Sequence, residues 1–127
     1  ETDELMGTVA GTRTIVWDLA KLDDPVVAYQ YIGPVRSSDH NLFVQGDRAY
    51  LSNYGSGLRV LDISNRTQPR EIGFFDSAPY NQDEPGHSAT ASGAWSNYPF
   101  FKSGVIIFTS VREGLFIVRV QDGKPVS

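Results

Sequence analysis

Apolar and polar positions along this chain come in short runs of about five residues, each closed by a residue that favours a turn. Through the middle the runs are His40 to Gln45, Arg48 to Asn53, Leu58 to Ile63 and Arg70 to Phe75, which predicts four consecutive strands. Gly46-Asp47 suits a tight hairpin, and Tyr54 to Gly57 suits a short glycine-bearing loop. Strands joined in this way form an antiparallel meander. One such sheet leaves apolar faces and edges open, so the pattern predicts stacking on neighbouring sheets.

The pattern also repeats. Thr14 to Pro25 reads TIVWDLAKLDDP and Leu58 to Pro69 reads LRVLDISNRTQP, an offset of 44 residues. In both, an apolar run ends in Asp (Asp18, Asp62), an aliphatic residue follows (Leu19, Ile63), and Pro closes the segment (Pro25, Pro69). A second echo lays Asn53 to Val60 over Ser110 to Ile117 at an offset of 57, with the extra 13 residues in the polar stretch Ser77 to Gly93. Self-similarity at about 40 to 45 residues marks propeller blades. Many short strands also suit a sandwich, but the registered repeats favour the propeller.

The fold class read from this is all-β, a β-propeller segment of about two and a half four-stranded antiparallel blades within a larger ring. Residues 1–35 are assigned to a partial blade of outer strands, 36–77 to a complete blade, 78–96 to a long inter-blade insertion and 97–127 to a second partial blade. Rings of this kind close with about four to eight blades. The remaining blades are therefore expected from the same longer chain or from partner chains.

Composition narrows the function classes. Of 127 residues 40% are hydrophobic and 12% aromatic, enough for a sizeable core. A formal charge of -4 offers no long-range attraction for phosphate backbones, so nucleic acid is not expected as a partner. No apolar run approaches the roughly 20 residues of a membrane helix, so no membrane insertion by this segment is expected. The sequence holds no cysteine, which excludes disulfides and thiolate chemistry. The first residue is Glu1 and no signal peptide is visible, so an upstream segment is expected to have been removed or to lie outside the sequence.

Several segments resemble a known family. His40-Asn41-Leu42-Phe43-Val44, Tyr50 to Tyr54 and Gly57 to Asn65 look like the LVIVD-repeat propellers. Gly93 to Gly104 with Arg112-Glu113-Gly114-Leu115-Phe116 is similar to the C-terminal blades of the choice-of-anchor B family. The resemblance covers nearly all of residues 13 to 120. It implies an exported, often surface-anchored bacterial propeller without an established enzymatic activity, located outside the cell, at its surface or in the periplasm. The anchor would lie beyond the propeller, and nothing after Val120 looks like one. Trp17-Asp18 also suggests tryptophan-aspartate repeats, but Leu61 holds the Trp place in the second repeat.

Meander topology sorts the polar residues. The loops between the second and third strands of a blade and the connections between blades emerge on one face, which gathers Gly33 to Asp39, Tyr54 to Gly57, Asp76 to Asn97 and Val111 to Gly114. Long loops on one face are where binding residues concentrate. Tyr54, Tyr80, Trp95 and Tyr98, with Arg112, are the candidate binding residues, since amphipathic rings suit protein or glycan recognition. Asp39, His40, His87, Asp83 and Glu84 are candidate ligands for a divalent ion, and Asp76, Asp83 and Glu84 for Ca²⁺, although the spacing matches no metal motif. Otherwise no cofactor is expected.

Catalysis is not expected. Ser88 follows His87 without a G-x-S-x-G elbow, and Gly55-x-Gly57 lacks the third glycine of a nucleotide loop. The function expected is a non-catalytic interaction scaffold binding a protein, glycan or ion. One alternative is a metal- or carboxylate-dependent enzyme completed by other blades, with Asp39 and Asp83 or Glu84 as a carboxylate pair. The other is a structural assembly subunit, pairing through strand edges at Thr14 to Leu19 or Val105 to Ser110.

Overall fold

The computed structural model describes residue 3, residues 6–81 and residues 92–121. These contain nine strands and one 3-10 turn (Pro79–Asn81). The strands are β1 (Arg13–Asp18), β2 (Val26–Ile32), β3 (Asn41–Gln45), β4 (Arg48–Ser52), β5 (Leu58–Asp62), β6 (Arg70–Phe75), β7 (Ala94–Tyr98), β8 (Ile106–Ser110) and β9 (Gly114–Val118). They form three antiparallel sheets, β1-β2, β3-β4-β5-β6 and β7-β8-β9, each in simple sequential order. The architecture is all-β, as the pattern predicts, and the four middle strands fall within a residue of their expected bounds.

The middle sheet is apolar on both faces because its inner strands alternate. On β4 and β5, Tyr50, Leu58 and Val60 point one way and join Ala94, Ile106 and Phe108 of the third sheet in one core cluster. Ala49, Leu51 and Leu61 point the other way and pack with Tyr31 of β2 and with Ile63. A strand buried on both sides cannot show a polar face, so the sheet is held between two others. Each fully buried Leu or Val contributes about 1.5–3 kcal/mol relative to exposure. Phe75 extends the interface with the third sheet onto Phe108 and Phe116, whose rings stack at 4.9 Å.

The repeat is also a structural one. β1 breaks register with β2 between Val16 and Trp17, and β5 breaks register with β6 between Val60 and Leu61, the same place 44 residues later. Equivalent positions differ only in what covers them. Leu61 is 1% exposed against the first sheet, whereas its equivalent Trp17 is 50% exposed. Leu58 and Val60 are buried against the third sheet, whereas their equivalents Leu115 and Ile117 on β9 are 61% and 69% exposed. The described stack thus ends in an open apolar face on each side.

Two expectations are corrected. Val105 to Ser110 does not supply a sheet edge, because β8 is the middle strand of its sheet and pairs with both β7 and β9. The stretch assigned to the insertion reaches into β7, which begins at Ala94 because that residue is captured by the middle sheet. Ala94 and Tyr54 exchange N–H···O bonds of 2.9 Å in both directions.

That bridge requires Gly93. Its φ is +96°, and a Cβ built there would lie 2.0 Å from the Tyr54 carbonyl oxygen. Gly104 in the β7–β8 hairpin has a similar φ of +75° but open space around it. Gly93→Ala is therefore expected to cost more than about 2 kcal/mol, and Gly104→Ala about 1 kcal/mol from backbone strain alone. Urea unfolding midpoints of the two variants check this, and equal losses would refute the close approach.

Candidate functional site

The first residues of the inner strands β3 and β7 meet on the loop-rich face. His40, just before β3, lies with its ring 4.5 Å from Trp95 and 4.7 Å from Tyr54, and Tyr54 meets Trp95 edge-on at 5.9 Å. Backbone geometry enforces this. Tyr54 takes a positive φ of 40° at the end of β4, which turns its chain onto Ala94 and seats Trp95 against it. His40 Nδ1 lies 2.7 Å from the Trp95 carbonyl, and the Asn41 amide donates to the same oxygen at 2.8 Å. Nδ1 also lies 2.7 Å from the Asn41 amide nitrogen, so ring, amide and carbonyl form one hydrogen-bonded cluster that fixes the imidazole.

Within this cluster the roles divide by burial. Tyr54 is 2% exposed and forms the floor, so it does not present its ring to a partner as the sequence suggested. Trp95 is 46% exposed and His40 is also exposed, so these two offer their surfaces outward. Trp95 sits in a strand rather than a mobile-looking loop, with its orientation set by the bridge beside it. His40 and Trp95 give an aromatic surface with a hydrogen-bonding ring nitrogen at its edge.

The other expected residues go elsewhere. Tyr98 stands at the far end of β7, packed on Phe100 and Phe101 in the hairpin on the opposite face. The five residues of β7 run from Ala94 at one end to Tyr98 at the other. Tyr80 donates its hydroxyl to Glu113. Arg112 is exposed, and its backbone N–H lies 3.3 Å from the same carboxylate. Asp39 accepts from the Arg13 backbone N–H, tying β1 to the entrance of β3. Asp83, Glu84 and His87 lie outside the described residues. Among the described residues no three His, Asp or Glu side chains gather as metal ligands.

Glu113 is the polar centre that the sequence reading missed. Ser110, Tyr80 and the Gly93 N–H all donate to it, and Ser77 meets the Ser110 hydroxyl at 2.8 Å. Because Ser110 gives its proton to Glu113, Ser77 donates to Ser110. The carboxylate therefore gathers Ser77 and Tyr80 from the segment after β6, Gly93 before β7, and the β8–β9 turn. Its burial works to raise its pKa, but the hydrogen bonds from Ser110, Tyr80 and Gly93 outweigh it and bring it down to about 2. The same contact raises the Tyr80 hydroxyl. The only sequence signal was its place beside Gly114 in a turn, which does not distinguish it from a solvated acid.

Arg59 was also missed, because it falls inside an apolar run. Alternation turns it toward the first sheet, where its guanidinium bonds the Ser56 carbonyl at 2.7 Å and Glu71 at 3.2 Å. Burial and then the Glu71 charge push the nearby Tyr31 hydroxyl up to about 12.

Residues 38–77 match the LVIVD repeat family, which covers the whole of the sheet β3-β4-β5-β6. That repeat is a β-propeller unit, in agreement with the order and pairing of these strands. No curated protein and no solved structure matches the chain significantly. Among the described residues no helix is long and apolar enough to cross a membrane.

The depressed Glu113 pKa sets a pH window. An unfolded Glu titrates near 4.5 and the folded one near 2, so the stabilisation is complete above about pH 4.5 and is lost as pH falls toward 2. Glu113→Gln removes the charge. The stability difference between wild type and Glu113→Gln is expected to be constant from pH 7 to about 5 and to shrink steadily below. Urea midpoints measured across that range test it, and a gap independent of pH would assign the loss to shape rather than charge.

Proposed function

We propose that the chain is a section of a closed β-propeller that serves as a non-catalytic interaction scaffold in an exported or cell-surface bacterial protein. The observation that carries the binding role is the pairing of exposed His40 and Trp95 over buried Tyr54 on the loop-rich face. A flat indole held in a strand loses little entropy on binding, and the hydrogen-bonding imidazole beside it adds direction. This suits a glycan ring or an apolar protein side chain flanked by a hydrogen-bonding group. The exported location rests on the resemblance of residues 93 to 116 to the choice-of-anchor B family.

A second reading, assembly with further blades, is favoured by the open end faces. Trp17 and Ile15 on one side, and Leu115 and Ile117 on the other, occupy positions whose equivalents in the middle sheet are covered by a neighbour or nearly so. The free edge of β1 adds a groove of about 330 Å³ lined by Trp17, Leu42, Val44, Leu61 and Ile63. Two more strands paired to β1 would fill it, as β3 and β4 do beside β5. In this reading the ring and the binding face are parts of one device.

The binding reading is tested with Trp17→Phe as background, so that Trp95 alone reports by fluorescence. Short oligosaccharides are expected to change the signal saturably, and His40→Ala to weaken the effect about tenfold or more, as for a central contact. Saturation by peptides but not sugars would assign the site to a protein partner. Silence to both, or an unchanged response in His40→Ala, would reject the cluster as a binding surface.

A further inference from the structure

A second concave site lies between the β2–β3 connection and the middle sheet, with no residue of the His40, Tyr54 and Trp95 cluster in its lining. It is a cavity of about 500 Å³ whose charged lining is Arg36, Arg59, Glu71 and Asp76, with Phe74, Pro34 and Val35 as apolar wall. All of these come from the β2–β3 connection, β5, β6 and the exit of β6, and these elements have their paired strands in place. Unlike the groove beside β1, the cavity is not a gap left by an unpaired strand.

Arg59 dominates the cavity. It is only 8% exposed, its Nε is committed to the Ser56 carbonyl, and its Nη1 is committed to Glu71. The guanidinium carbon stands 4.5 Å from the centre of the Phe74 ring. Three contacts therefore fix the plane of the group, while Nη2 has no protein acceptor among the described residues. Nη2 is the one nitrogen left uncommitted on this fixed guanidinium, so it is prepared to take one oxygen of a carboxylate whose other oxygen reaches a second cation. Arg36, whose guanidinium lies beside Gly7, supplies a second cation in the lining.

The acids in the same cavity do not cancel this. Glu71 is engaged by Arg59 and lies beside Tyr31, and Asp76 accepts the Ala78 N–H at 2.8 Å in a turn. They do argue against a multiply charged anion, which they would repel. Phe74 keeps half its surface exposed and faces the apolar Pro34 and Val35. We propose that this cavity binds a monocarboxylate with a flat apolar body, the carboxylate on Arg59 and Arg36 and the body against Phe74.

Nitrogen-15 NMR of the full chain tests this by following the Arg59 Nε–H and the Gly55 amide. The probes are benzoate, N-acetylphenylalanine as a mimic of a peptide carboxyl terminus, and benzamide as the neutral counterpart, all at constant ionic strength. Both carboxylates, or N-acetylphenylalanine alone, are expected to shift these signals saturably while benzamide does not. The first pattern indicates a free small acid and the second a peptide end. Arg36→Gln, which removes the charge of an exposed side chain, is expected to weaken binding about tenfold. Shifts that never saturate, equal shifts with benzamide, or full affinity in Arg36→Gln would overturn the proposal.

Discussion

The paired hydrogen bonds between Tyr54 and Ala94 are the join on which the arrangement of the second and third sheets depends. They link the loop after β4 to the first residue of β7, so the inner strand of one sheet starts from a fixed point on its neighbour. The positive φ of Tyr54 and the missing side chain of Gly93 are the two local costs of this join. In return the backbone carries Trp95 onto His40, and the same Gly93 reaches Glu113 through its N–H. The candidate surface is thus a by-product of how the sheets are fastened together. Its rigidity follows from backbone bonds rather than from the packing of the rings themselves.

Legibility followed periodicity. Alternation and turn residues are local, so β3 to β6 could be read almost to the residue, and the 44-residue echo proves to share a register break near Trp17 and Leu61. What alternation cannot report is which side of a sheet has a neighbour. Leu115 and Leu58 look alike in sequence, yet one is exposed and the other buried. For the site, sequence placed His40 and Trp95 on the same face but sorted His40 as a metal ligand, because imidazole chemistry is ambiguous until its contacts are known. Tyr98 failed for a different reason. A strand's two ends belong to opposite faces, and the start of β7 was set three residues too late to separate Trp95 from Tyr98.

Glu113 and Arg59 show the opposite case, in which charge was informative only after folding. Glu113 has donors from three chain segments far apart in sequence, so no motif could collect them. Arg59 sits among Leu58, Val60 and Leu61, where a sequence reading sees a strand and discounts the cation. A buried guanidinium persists there only because Ser56, Glu71 and Phe74 satisfy it together. Long side chains inside apolar runs are therefore worth separate attention when strands alternate.

Apolar stacking holds these sheets together but cannot set their register, since it is non-directional. Each interface also carries polar links that can. Between the first and second sheets, Tyr31 lies against the Glu71–Arg59 pair. Between the second and third, the Asn97 amide donates to the Tyr50 carbonyl at 3.2 Å and to the Ser52 hydroxyl at 2.8 Å, while Ser77 reaches Ser110. Asn97 leaves its own Oδ1 without a protein partner, a penalty of about 1–3 kcal/mol if no water reaches it. An apolar residue in its place would pack without that cost, yet would allow the sheets to slide. A slide of one residue would separate Ala94 from Tyr54 and Trp95 from His40. Directional bonds inside an apolar interface thus fix the geometry of the exposed face, and the stability sacrificed at Asn97 is what keeps that face in one shape.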